Sequence, residues 1–127
     1  MKDSTLSLSE YKIVTSLKKG KVIRVGNSLG VIIPKFLVTE KGWCVVKIKE
    51  LIKGGITVNP VFTKERPYWR KERRKIRKVI KRTRSYCITL PISVLKHKWE
   101  LGDPVLMKYV PERNVLLIAN QAVKNED

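Results

Sequence analysis

The chain has 127 residues and a formal net charge of +17, from 28 Lys and Arg against 11 Asp and Glu. Its length suits about one domain, and 43% hydrophobic residues is a globular content rather than a disordered one. So large a positive excess opposes compaction and points to a polyanionic partner, DNA or RNA first. No run approaches the 18 or so apolar residues that span a bilayer, and no basic helix carries a bulky apolar face for a membrane surface.

In chain order, residues 1–17 form an N-terminal extension. Its opening, MKDSTLSLSEYK, lacks the apolar core of a signal peptide. A cytoplasmic protein is expected, nucleoid-associated, or in the host cytoplasm if viral. A first β run, Lys21 to Val25, leads into the polar turn Gly26-Asn27-Ser28 and a second strand, Leu29 to Ile33. Pro34 then starts a short helix, since its missing N–H costs nothing in a first turn. Phe36, Leu37 and Val38 anchor that helix and Gly42 stops it. A hairpin follows, Val45 to Lys49 with Ile56 to Val58 across Lys53-Gly54-Gly55.

The same order then repeats. Ile76 to Arg82, the turn Thr83-Arg84-Ser85, and Tyr86 to Leu90 are followed by Pro91 and a helical turn with Ile92, Val94 and Leu95. Gly102 reads as its stop, and a hairpin joins Val105 to Val110 with Val115 to Ile118 across Pro111 to Asn114. Sliding the chain by 57 residues sets Ser28 on Ser85, Val31 on Ile88 and Pro34 on Pro91. Beyond the helices a slide of 60 sets Gly42 on Gly102, Val45 on Val105 and Ile56 on Leu116, which implies three extra residues around Lys98 to Leu101. Repeats therefore occupy 18–58 and 76–118, with a basic linker over 59–75 and a tail over 119–127. A unit of some 40 residues cannot bury enough apolar surface alone. The two copies are expected to pair, preferably within one chain, with a homodimer as the other arrangement.

The segment Lys21-Val-Ile-Arg-Val-Gly-Asn-Ser-Leu-Gly-Val-Ile-Ile-Pro34-Lys35 resembles the opening of SpoVT/AbrB and MazE-like swapped-hairpin domains. The second copy, Arg77 to Pro91 with Tyr86 and Leu90-Pro91, looks like the archaeal branch of that family. The resemblance implies a mainly β fold with short helices, an interlaced AbrB-like β-barrel made from two tandem repeats. It also implies DNA binding by basic residues of the first strands and the turns after them. Carried over by position, these are Arg24 and the Asn27 turn in copy one and Lys81 in copy two, with Arg82 and Arg84 added by proximity; Lys21 and Lys78 complete the expected set on these strands.

Charge density adds the connector. From Lys64 to Arg84 twelve cations face two carboxylates, Glu65 and Glu72, a net +10 in one stretch. Such a run makes physical sense beside phosphates, and its arginines suit bidentate contacts. Arg70, Arg73, Arg74 and Arg77 join the expected DNA-binding set, and Tyr68 and Trp69 are placed to stack or to pack. Trp43 and Trp99 are expected in the core, and His97 on a helix surface.

A lone His and no carboxylate pair beside a nucleophile leave no catalytic constellation. Lys53-Gly54-Gly55 is too short for a phosphate loop. Neither enzyme activity nor a cofactor or metal is expected. Cys44 and Cys87 are too few for a zinc site or a disulfide framework and are expected as reduced, partly buried thiols. The expected function is double-stranded DNA binding by a transcriptional regulator. The alternatives are an antitoxin, disfavoured by the short stretch after the last strand, and a non-specific DNA or RNA packaging protein.

Overall fold

The computed structural model describes residues 17–52, 54–62 and 75–122. Among the described residues there are ten strands and two short helices: β1 (Lys18–Lys21), β2 (Ile23–Val25), β3 (Ser28–Ile33), α1 (Lys35–Thr39), β4 (Val45–Ile52) and β5 (Gly55–Pro60). The second set is β6 (Ile76–Lys78), β7 (Ile80–Lys81), β8 (Tyr86–Thr89), α2 (Ile92–Leu95), β9 (Pro104–Val110) and β10 (Val115–Asn120). Arg70, Arg73 and Arg74, with Tyr68 and Trp69, lie outside the described residues. Among the described residues no helix is long and apolar enough to cross a membrane.

The strands form two antiparallel sheets. Sheet A runs β1-β9-β10-β5-β4-β6, and sheet B runs β2-β3-β8-β7. Both remain open, so the single closed barrel expected from the resemblance is not what these strands make. The cause lies at two corners. Each first strand of a repeat was expected to be continuous, yet the chain leaves sheet A and enters sheet B at Val22 and again at Val79. The Val22 N–H donates to the Asp103 carbonyl and the Val79 N–H to that of Cys44, each at 2.8 Å. Those bonds take the donors away from either ladder and split one run into two strands.

Pairing exchanges partners between the halves. β1 pairs with β9, β6 pairs with β4, and β10 pairs with β5. In sheet B, Val31 lies opposite Ile88, and in sheet A, Thr57 lies opposite Leu117. These two pairs are self-matched at spacings of 57 and 60 residues, so one pseudo-twofold axis passes through both sheets. Around it Gly30↔Thr89 mirrors Ile32↔Cys87, and Ile56↔Ile118 mirrors Val58↔Leu116.

Alternation builds the core. Val46 and Ile48 on β4, Ile56 and Val58 on β5, Val105 and Met107 on β9, and Leu116 and Ile118 on β10 are buried, as period-2 apolar patterning demands. Val31, Ile33, Ile88 and Leu90 meet them from sheet B, with Leu37 of α1 and Val94 of α2. Trp43 and Trp99 are buried as expected.

Burial and hydrogen bonds correct the detailed alignment of the copies. Val46 corresponds to Val105 and Ile48 to Met107, because Cys44 and Asp103 serve as equivalent acceptors at the two corners. Gly42, at φ +73°, ends α1, with the Trp43 N–H donating back to Leu37 O. Its counterpart before Trp99 is Lys98, at φ +67°, and not Gly102. Gly102 belongs to the insertion Glu100-Leu101-Gly102, whose end is fastened by its own N–H to Val22 O.

Candidate nucleic-acid interface

Sheet B faces the core with the side of β3 and β8 that carries Val31, Ile33 and Ile88. On the opposite parity Ile23, Ile32, Ile80 and Thr89 are half-buried to exposed, while Gly30 and Cys87 between them are buried. Short strands leave the two turns, at residues 26–27 and 83–84, standing at opposite ends of the sheet, because β3 and β8 run antiparallel. The chain folds this way because Ser28 and Ser85 close equivalent turns: Val25 pairs with Ser28, and the Arg82 N–H donates to Ser85 O at 2.7 Å.

The strands and turns of sheet B, residues 23–33 and 80–89, hold four cations and no carboxylate. Arg24, Lys81, Arg82 and Arg84 are all exposed, as is Asn27. Acids of the described residues sit elsewhere: Glu40 beyond α1, Glu50 on β4, Glu100 and Asp103 in the insertion, and Glu112 in the last hairpin turn. Some of these have internal work. An Asp103 carboxylate oxygen accepts the Glu100 N–H at 2.8 Å and the Asn120 side-chain amide at 3.0 Å, and Glu50 contacts His97. Among the described residues, then, no acid belongs to the strands and turns of sheet B.

Three of the four cations converge. A groove of about 470 Å³ is lined by Ile23, Arg24 and Ile32 from the first copy and by Arg82, Thr83, Arg84 and Ser85 from the second. Sequence reasoning assigned Arg24, Arg82 and Arg84 separately. Strand exchange brings them to one groove, with Ile23, Ile32 and Ser85, which carry no charge to single them out in sequence, as its walls. Arg82 also lies against Cys87, which is fully buried on β8. Burial pushes the Cys87 thiol up from its ordinary value, while the adjacent Arg82 charge and hydrogen bond draw it partly back.

The remaining expected residues divide. Lys21 and Lys78 are exposed at equivalent positions, each at the last residue before a corner. Arg77 does not belong with the free cations. It is half-buried on β6, its Nη1 donates to Ile76 O at 2.9 Å, and burial lowers its guanidinium pKa. Its stem is part of the sheet edge beside β4. Cys44 is exposed rather than partly buried, and both cysteines are free thiols. His97 is exposed, on the turn after α2.

A second cavity, of about 660 Å³, opens beside α1 between Phe36, Met107, Tyr109 and Leu116. Lys18, Lys35, Lys41 and Glu40 stand around it, and Phe36 meets Tyr109 edge to face at 5.2 Å. Among the described residues no cluster of three or more His, Cys, Asp or Glu could hold a metal ion. Comparison of the chain with protein-family models, with curated proteins and with solved structures gives no match.

Proposed function

We propose that the protein binds double-stranded DNA through sheet B and its two turns and acts as a transcriptional regulator. We also propose that its halves make one swapped-hairpin unit of the SpoVT/AbrB kind. The observation that carries the reading is that the strands and turns of sheet B hold Arg24, Lys81, Arg82 and Arg84, all exposed, and no carboxylate, with three of the four lining one groove. Cations so placed release condensed counterions on meeting phosphates, which is the main source of affinity for a duplex. Arginines at the groove add bidentate contacts to guanine edges or phosphates, so positioning and specifying contacts come from the same surface.

The interleaved strand pairing and the likeness of residues 21–35 to the family's opening motif support the swapped-hairpin reading. So does the position of the turns, which put exposed polar and basic side chains at both ends of a four-stranded sheet.

Selection of bound sequences from a random duplex pool tests the proposal, followed by fluorescence anisotropy at physiological salt. A regulator binds its selected site about 10³-fold or more tighter than random DNA. A ratio near one would turn the reading to packaging, and preference for single-stranded or double-stranded RNA would overturn it.

A further inference from the structure

We infer that the two pseudo-equivalent grooves of sheet B are unequal anion sites and that a duplex is therefore held in one orientation, its strongly bound half against Arg24, Arg82 and Arg84. This rests on the DNA-binding reading and goes beyond it by naming which groove dominates.

The pseudo-twofold axis supplies an internal comparison. At a spacing of 57 residues, sheet B is matched pair for pair: Ile23↔Gly30 with Ile80↔Cys87, and Arg24↔Leu29 with Lys81↔Tyr86. The closing pair Val25↔Ser28 is likewise matched by the Arg82-to-Ser85 bond. The groove of Ile23, Arg24, Ile32 and Arg82-Thr83-Arg84-Ser85 therefore has a counterpart position, made of Ile80, Lys81, Thr89 and Val25-Gly26-Asn27-Ser28. Three arginines line the first. In the second, Lys81 stands for Arg24, Val25 for Arg82 and Asn27 for Arg84, leaving one cation among these described positions.

The backbone frame is shared, so the difference is chemical. Arginine presents a planar fork that grips phosphate or a guanine edge at two points, whereas lysine is a strongly hydrated point charge. The poor groove forms fewer charge-assisted contacts and releases fewer counterions. A duplex offered to this face gains most when its better half lies over the arginine groove, and reversing it forfeits that gain. A perfect palindrome brings no advantage. The bound site has one closely specified half and one permissive half.

Anisotropy titrations of the full chain against its selected duplex and against random DNA test this, with circular dichroism melting to confirm that each variant is folded. Arg24→Ala and Arg84→Ala are each expected to weaken binding to the selected duplex at least about fivefold, and Lys81→Ala and Asn27→Ala less than about twofold. Asn27→Arg equips the poor groove as Arg84 equips the rich one. It should tighten binding and steepen the dependence of log affinity on log salt by about 0.9. Glu112→Gln adds the same unit of charge away from sheet B and should do neither. Equal losses at Arg24 and Lys81, or equal gains from Asn27→Arg and Glu112→Gln, would overturn the inequality while leaving DNA binding intact. No binding of either duplex by the wild-type chain would instead remove the DNA reading, and the inference with it.

Discussion

Gly30 and Ile88 approach so closely that a methyl group on Gly30 would stand 2.2 Å from the Ile88 carbonyl oxygen. This contact adjoins the Val31–Ile88 pair on the pseudo-twofold axis, where the two halves meet in sheet B. The obstructing atom is backbone, so no side chain can rotate away. Gly30→Ala must push β3 from β8 and is expected to cost about 3 kcal/mol, the upper part of the ordinary overpacking range. A thermal melt should show a drop of about 10 °C. An unchanged melting temperature would mean that the central pairing is not as close as described.

Asn114 ties two aromatic groups together. Its side-chain oxygen accepts from Trp43 Nε1 at 3.2 Å and from the Tyr109 hydroxyl at 2.6 Å. Asn114→Ala leaves both donors without this acceptor and should cost about 2 kcal/mol, measurable by urea denaturation. The corresponding place in the first hairpin is Gly54, which has no side chain to accept, and Trp99 Nε1 has no partner among the described residues. Trp43→Phe should therefore destabilise more than Trp99→Phe, by about 1 kcal/mol, the net worth of one hydrogen bond. Equal effects would contradict the asymmetry.

The two thiols should be told apart by accessibility. Cys44 is exposed and Cys87 buried, so a chromogenic aromatic disulfide should titrate one thiol quickly in the native protein and two in denaturant. Fast reaction of both would place Cys87 at the surface.

Stability should fall on the alkaline side. Burial raises both Cys87 and Tyr109 above their ordinary values of 9.0 and 10.0, so the folded state holds these protons more tightly than the unfolded chain. Their contribution is complete below the ordinary values and is lost as pH rises through the raised ones. The urea midpoint is expected to be unaffected by these groups between pH 7 and pH 8 and to decline once pH passes 9.0. A midpoint that rises over that interval would reverse the sign.

The connector is tested by neutralisation. Arg70, Arg73 and Arg74 replaced together by Gln should lower affinity for random DNA and reduce the salt slope by about 2 to 3, since each phosphate contact contributes about 0.9. An unchanged slope would take the connector out of the interface. Arg77 is left out of this set because its half-buried guanidinium holds a backbone carbonyl, and removing it would confuse folding with binding.

Local chemistry wrote the repeat into the chain. Pro34 and Pro91 mark helix starts, serines close both sheet B turns, and alternation of Val, Ile and Leu fixes which side of each strand is buried. The spacing of 57 that matched Val31 to Ile88 is the relation on which the axis stands, and the basic, carboxylate-poor character of residues 80–89 is plain in their order. These features depend on residues within a turn or a strand of one another. Partner choice does not. The corners at Val22 and Val79 exist because carbonyls of Asp103 and Cys44 wait there, and those acceptors belong to the other half of the fold. Lys98 stops α2 in a left-handed conformation because Trp99 must reach the core, which composition alone cannot express. Arg24 comes to line one groove with Arg82 and Arg84, and Arg77 becomes part of a sheet edge, only once strands are exchanged across the axis. A hydrogen-bond ladder between strands dozens of residues apart is settled by global packing, so contacts of that kind had to be seen in three dimensions.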